Sequence, residues 1–316
     1  MSLPQQSTPN QRRRRANQGT IICSNAWPCR PAGPFGARSR SREYTFNPQT
    51  LPGTTPMHAF DYQRAASLTE AVRTLSDDGD ARPLAGGMTL IPSLKHRLNQ
   101  VSRLVDIGRL PDLQGIAVRA DHLWIGAATR HQQVADSAEV ARVAPGLARL
   151  ASLIGDPQVR ARGTIGGSVA NNDPAADYPA AVLALDATVV TNRRELAAAD
   201  FFQGFFMTAL EPGELITGIR FKLPQRSAYA KFKHPASGYA MAGVFAADLG
   251  AAGRRITVTG AGGGVFRWTV AEQAWSDGAS VPTLEHPDLL EDIHAPARYR
   301  AHLAKVMCEQ ALRELA

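Results

Sequence analysis

Two segments of the chain have residue types and spacing suited to binding chemistry: Ala85-Gly86-Gly87-Met88-Thr89 and Thr164-Ile165-Gly166-Gly167-Ser168. A glycine pair permits a turn at positive φ and lets a ligand reach the backbone, since no Cβ stands in the way. Successive bare N–H groups in such a turn form an anion-binding concavity. The hydroxyls of Thr89, Thr164 and Ser168 add donors for phosphate oxygens. Two such loops in one domain suit a diphosphate held between them, as in a dinucleotide. Glycine is also the default residue of tight turns, so either doublet alone reads as a simple turn. Specificity comes from the two together with their flanks.

Those flanks are Arg82-Pro83-Leu84 ahead of the first doublet and Leu90-Ile91-Pro92 with Lys95 behind it. The second doublet follows Gly163 and runs on through Asn171-Asn172-Asp173-Pro174-Ala175-Ala176-Asp177. From Met57 to the C-terminus the chain resembles the FAD-binding (medium) subunit of molybdenum hydroxylases, the flavoprotein subunit of carbon monoxide dehydrogenase and xanthine dehydrogenase-type enzymes. The resemblance implies an α+β fold. A two-subdomain FAD-binding unit of the vanillyl-alcohol oxidase (PCMH) type is expected over residues 57–224, and a C-terminal sheet-and-helix domain over 225–316. It further implies that the backbones of Ala85 to Thr89 and of Thr164 to Ser168 cradle the diphosphate. Asp177 matches the acid on the adenosine or ribose side, and Lys233 the cation beside the flavin ring, where it would stabilise reduced anionic flavin. Tyr239 matches an aromatic covering the ring, although Gly238 stands where close relatives have an acid. Met88 stands where some relatives have histidine, so FAD is expected to be non-covalent. Read from the residues alone, Asp177 also suits an N-cap for a helix starting at Pro179, and Lys233 an ordinary strand-edge lysine.

The implied function is electron transfer within a complex. Electrons would come from 2Fe-2S clusters on a small subunit, fed by a molybdopterin-binding large subunit, and pass through FAD to an external acceptor. No catalytic residue of this chain's own is expected, because redox chemistry belongs to the cofactor. A stand-alone oxidase of the vanillyl-alcohol oxidase type is the competing reading, but it needs a substantial substrate domain and only about ninety residues follow Pro224. A flavin-free scaffold is the third, against which both glycine segments are intact.

Composition narrows the classes further. The chain has 316 residues and a formal net charge of +7. All of that excess lies in residues 1–56, where eight arginines face one acid, Glu43; the remainder holds 27 bases and 27 acids. A nucleic-acid-binding body therefore has no support. The first 56 residues are rich in Pro, Ser, Gln and Arg and read as a disordered leader. A start of translation at Met57 explains them better than a basic docking arm at Arg12 to Arg15. No apolar run approaches the ~18 residues of a membrane span. Cys23 and Cys29 lie in the leader, leaving Cys308. One thiol cannot hold an iron–sulfur cluster, and it suits a reducing cytoplasmic setting. The eight histidines show no metal-ligand spacing, and Gly260-Ala261-Gly262-Gly263-Gly264-Val265 fails the dinucleotide fingerprint at its last position.

The elements that must position these residues follow from pattern. Ser67-Leu68-Thr69-Glu70 fits a capping box for a helix ending near Gly79. Arg82 to Gly86 reads as a strand entering the first turn, and Leu90 to Leu98 as a helix started by Pro92. Strands are expected at Leu104–Ile107 and Leu123–Ala127, a single helix over Ser137–Leu153, and a short helix over Pro179–Leu185. Strands follow at Thr188–Val190, Glu214–Phe221, Tyr229–His234, Tyr239–Leu249 and Arg255–Thr259, then two helices. This order shows no helix/strand alternation of the kind that builds a parallel sheet.

Overall fold

The structure is a computed structural model describing residues 57–315, and the readings of the leader and of Cys23 and Cys29 fall outside it. The first glycine segment closes a small sheet. Strands β1 (Asp61–Arg64), β2 (Arg82–Leu84) and β3 (Arg103–Asp106) lie in the order β1-β3-β2 and are all parallel. Helices α1 (Leu68–Asp77) and α2 (Leu90–Lys95) make the crossovers. The first subdomain is thus a parallel β-α-β-α-β unit, which corrects the reading that the chain has no helix/strand alternation. Its strands have only three or four residues, too few for periodicity to register. Half of the expected capping box is present: the Ser67 hydroxyl accepts the Glu70 N–H, while the Glu70 carboxylate reaches one residue further back, to the Ala66 N–H rather than that of Ser67.

The second subdomain is an antiparallel sheet covered by helices. In chain order it comprises β4 (Ile116–Val118), β5 (His122–Gly126), α3 (His131–Asp136), α4 (Ala138–Val143), α5 (Pro145–Ser152), α6 (Pro157–Arg162), α7 (Ile165–Asn171), α8 (Tyr178–Ala184), β6 (Thr188–Thr191), β7 (Glu195–Ala197), α9 (Ala198–Phe201), β8 (Phe202–Gly204), β9 (Met207–Thr208) and β10 (Ile216–Lys222). The five-stranded order is β4-β5-β10-β6-β7, and β8 and β9 form a separate hairpin. The single helix expected over 137–153 is two, α4 and α5, broken at Ala144 because Pro145 cannot continue the hydrogen-bond ladder. The second glycine doublet is not a turn at positive φ. Gly166 and Gly167 occupy the first turn of α7, with Thr164 as the N-cap.

The C-terminal part has β11 (Arg226–Lys233), β12 (Ala240–Asp248), β13 (Arg254–Thr259) and β14 (Phe266–Arg267) in one antiparallel sheet, then α10 (Thr269–Ser276) and α11 (Ala297–Leu315). Every residue of β12 is buried. One face of the sheet sends Tyr229, Phe245 and Ala247 into the core of the second subdomain. The other face packs Ala242, Val244 and Ala246 against α11 residues such as Ala304 and Cys308. Glycine makes the first contact possible: a Cβ on Gly146 of α5 would lie 2.8 Å from the Ala228 nitrogen, and the Gly146 N–H donates to the Ser227 hydroxyl at 3.1 Å. The stretch between α7 and α8 is strapped to β13, with the Thr259 hydroxyl on the Pro174 and Ala176 carbonyls and the Gly260 N–H on Pro174.

Candidate functional site: a diphosphate cradle beside a buried ion pair

The first glycine segment presents free donors. Gly87 has φ +74, and the N–H groups of Gly86, Gly87, Met88 and Thr89 make no hydrogen bond among the described residues. The Gly87 and Thr89 carbonyls turn the other way, into α2, accepting from Ile91 and Ser93. Thr89 caps α2 without a side-chain bond, so its hydroxyl is also free. A row of unpaired N–H groups at a helix start is the chemistry of a phosphate site.

The second segment lies directly behind it. A Cβ on Gly86 would come 2.3 Å from the Arg162 carbonyl oxygen and 2.7 Å from the Gly163 Cα, so only glycine lets the two segments abut. Gly166 is likewise pressed on Ala127, where an added Cβ would meet the Ala127 Cβ at 2.5 Å. The N–H groups of this segment are already engaged: Ile165 on Thr129, Gly166 on Ala127, Gly167 on the Thr164 hydroxyl at 3.3 Å and Ser168 on the Thr164 carbonyl. The two segments are therefore not equivalent. Segment one offers bare donors, while segment two forms a helix start whose exposed Gly167 N–H has only a long cap and whose Ser168 hydroxyl is unpartnered among the described residues.

Behind Gly163 sits His131, which sequence spacing did not single out. Its N–H donates to the Gly163 carbonyl, and a Cβ on Gly163 would meet its Nε2 at 2.5 Å. Burial, helped by Arg160, pushes the imidazole down to about 4, so it is neutral and uncharged next to the cradle.

The other expected residues gather where α8 meets the β11–β12 hairpin. Asp177 is 5% exposed; its carboxylate accepts the Tyr229 hydroxyl at 2.5 Å and the Lys231 ammonium at 2.8 Å. It stands at the N-cap of α8, but its side chain makes no cap bond there. Nor does it face outward toward a ligand: both carboxylate oxygens are occupied from within. Burial raises its pKa against the opposing pull of Lys231 and Tyr229. The Lys231 side chain is 0% exposed and also donates to the Leu153 carbonyl at 3.3 Å. Lys233 is exposed at the end of β11, next to a bulge at Phe232. Tyr239 is 46% exposed on the facing strand end, where partial burial and the carboxylates of Asp173 and Asp177 raise its pKa. Helix α7, seven residues and about 10 Å long, leads from the glycine cradle toward this second group. Tyr229 and Lys231 escaped notice although they share strand parity with Lys233, which was the available signal.

The free N–H row and the glycine-enabled abutment, where no Cβ would fit, suit a dinucleotide-type diphosphate, and the two-subdomain fold is that of an FAD-binding protein. Comparison with known proteins agrees. Residues 58–225 match the family described as FAD binding domain in molybdopterin dehydrogenase. The chain is 36% identical over 276 residues to the 6-hydroxypseudooxynicotine dehydrogenase complex subunit alpha of Paenarthrobacter nicotinovorans, covering 80% of this chain and 93% of that one. It is 36% identical over 280 residues to the carbon monoxide dehydrogenase medium chain of Afipia carboxidovorans, covering 80% and 96%. The solved reconstituted CO dehydrogenase from Oligotropha carboxidovorans superposes with a TM-score of 0.76 at 33% identity, over 83% of this chain and 99% of that one. The chain belongs to the FAD-binding medium subunits of the molybdenum hydroxylases. It is a flavoprotein subunit of an oxidoreductase, and its near-full coverage of medium chains disfavours the stand-alone oxidase. Among the described residues no helix is long and apolar enough to cross a membrane, and no cluster of three or more His, Cys, Asp or Glu can hold a metal.

Proposed function

We propose that this chain holds FAD non-covalently across the Gly86–Thr89 row and the start of α7, within a cytoplasmic complex. In that complex a molybdopterin-binding large subunit and a 2Fe-2S small subunit supply electrons, and an external acceptor takes them. The observation that carries the reading is the set of four unpaired backbone N–H groups around Gly87, abutting the second glycine segment. The bound flavin would supply one- and two-electron redox chemistry. This chain's residues bind, orient and tune. Gly86, Gly87, Met88 and Thr89 donate to diphosphate oxygens; Ala85 carries the strand into that turn. Thr164 and Ile165 anchor α7, Gly166 lets it approach β5, and Gly167 and Ser168 present a weakly capped N–H and a hydroxyl. Asp177 acts through Lys231 and Tyr229 as a positioning residue for the β11–β12 hairpin, on which Lys233 and Tyr239 flank the ring. The absence of histidine at Met88 supports a dissociable cofactor. The test is purification of the chain alone and with its neighbouring gene products, followed by an absorption spectrum, acid precipitation and metal analysis. Yellow protein whose flavin stays in the acid supernatant, with molybdenum and iron only when other chains co-purify, is expected. Flavin that precipitates with the protein overturns non-covalent binding; flavoprotein that brings down no other chain when the neighbouring gene products are produced with it overturns the complex.

A further inference from the structure

The glycine-rich run at 260–264, which fails as a dinucleotide fingerprint, has a different use. The Leu290 N–H donates to the Ala261 carbonyl and the Gly263 N–H to the Asp288 carbonyl. A Cβ on Gly262 would meet the Phe266 ring at 3.0 Å and the Asp288 carbonyl oxygen at 3.3 Å, so glycine there lets the extended 283–290 segment lie close. That placement stacks His286 on Phe266, with ring centroids 3.9 Å apart and planes 18° from parallel. The His286 Nδ1 accepts the Asp288 N–H, so in the neutral ring Nε2 carries the proton and is a donor.

Between this segment and α11 runs a cavity of about 480 Å³, within the size range of small-molecule sites. Arg298, His302 and Lys305 line it from one helix face, at i, i+4 and i+7, spread over about 10 Å of axis. None of the three side chains forms an ion pair or hydrogen bond among the described residues. Leu284, Leu289 and Ala301 supply an apolar lining, and Glu285 is the acid that borders it. Long cationic side chains on a helix face normally find carboxylates at such spacing; here Glu309, at i+4 from Lys305, makes no ion pair with it, and the lining sets an arginine, a lysine and two imidazoles against one acid.

We propose that this groove is a second binding site, separate from the flavin cradle, for a small organic anion: a carboxylate, sulfonate or phosphate on an apolar body. The acid group lies on Arg298, His302 and Lys305, the body on Leu284 and Leu289, and the fixed His286 donates from the opposite wall. Unpaired donors gathered on one helix face reward an anion with charge-assisted hydrogen bonds, while the apolar lining favours an organic body over a bare ion.

The test uses the full chain loaded with FAD, so that the cofactor site is filled. Anilinonaphthalene sulfonate is titrated by fluorescence, with inorganic phosphate as competitor. Saturable one-to-one binding is expected, weakened at least about tenfold in Arg298→Ser/Lys305→Ser and retained in the charge-preserving Arg298→Lys/Lys305→Arg and in the distant Arg313→Ser. Arg298 is exposed and Lys305 half-buried, and thermal melts of each variant check that the fold persists. Absence of saturable binding, or equal affinity in the Arg298→Ser/Lys305→Ser protein, overturns the proposal. Phosphate binding as tightly as the organic probe overturns the organic part and reduces the site to a bare-anion patch.

Discussion

Removing either partner of the Asp177–Lys231 pair should cost far more stability than removing both. The Lys231 side chain is wholly buried and that of Asp177 is 5% exposed, so each neutralises a charge that water cannot reach. Leaving one such charge unpaired costs about 3–5 kcal/mol, whereas replacing both by uncharged groups of similar volume is often close to neutral. Lys231→Met leaves the carboxylate with only the Tyr229 hydroxyl; Asp177→Asn leaves the ammonium without a counter-charge, with only the Leu153 carbonyl and a neutral amide as neighbours. Each single variant should lose about 3 kcal/mol and the Asp177→Asn/Lys231→Met double variant at most about 2, giving a coupling of several kcal/mol in a double-mutant cycle. For a body of this size, 1 kcal/mol moves Tm by about 2–4 °C, so each single variant should melt roughly 6–12 °C early. Urea denaturation of FAD-free protein isolates this from cofactor binding. FAD affinity separates positioning from direct contact: acting through the hairpin, Asp177→Asn and Lys231→Met should weaken FAD binding alike. Additive single effects, with a coupling below about 0.5 kcal/mol, would refute the ion-pair argument. An Asp177→Asn protein of unchanged stability that alone loses FAD would restore the carboxylate to the ligand.

Gly87→Val should abolish FAD binding: positive φ costs a β-branched residue about 1–3 kcal/mol, and the new Cβ would crowd Ile91 at 3.1 Å and Leu84 at 3.2 Å, as equilibrium dialysis with FAD would read. Gly86→Ala should weaken FAD binding and lower Tm together, since its Cβ overlaps the Arg162 carbonyl and pries the two segments apart. Gly167→Ala should keep at least a tenth of the affinity, because that residue is exposed and helical with its N–H already capped. Stability should fall between pH 6.5 and about 4: the unfolded imidazole of His131 gains a proton near 6.5 and the folded one only near 4, so acid favours unfolding across that window. A shift of that size corresponds to about 3 kcal/mol, and His131→Gln should remove this part of the acid loss in urea melts at pH 7 and pH 4.

How far the sequence disclosed this site depended on which physical signal each residue emits. Glycine at close approach is legible, because nothing else fits, and Gly86, Gly87 and Gly166 each meet backbone or core where a Cβ would stand. What a glycine doublet does not reveal is its backbone state. Gly86-Gly87 and Gly166-Gly167 look alike, yet one turns through φ +74 and the other starts a helix. The difference lies outside the doublets. Thr164 caps a run that Val169 and Ile165 drive into the core, whereas Met88 and Thr89 stay exposed and leave the first turn to its glycine geometry.

Long elements were readable in the same way. Strand β12 is an uninterrupted run of apolar and glycine residues from Ala240 to Ala247, buried throughout, and a run of that length reads as a core strand without tertiary knowledge. The parallel unit at β1–β3 was not readable, since strands of three and four residues carry at most two full periods, and pairing is settled by α1 and α2 rather than by the strands themselves.

Charge pairing is the hardest to infer, and it decides what the site can do. Asp177 and Lys231 are 54 residues apart, and nothing local distinguishes Lys231 from Lys233, which has the same parity on the same strand. Burial separates them: the sheet carries Lys231 under α8 and Leu153, where only a carboxylate makes its charge tolerable, and lets Lys233 emerge past the bulge into solvent. A cation that must meet an incoming anionic ring has to remain unpaired and accessible; a cation that fixes the strand beneath it has to be neither. On the proposed function the two lysines divide those requirements between them: a substitution at Lys233 should then alter the flavin's redox behaviour with the fold intact, and one at Lys231 should be felt first as lost stability.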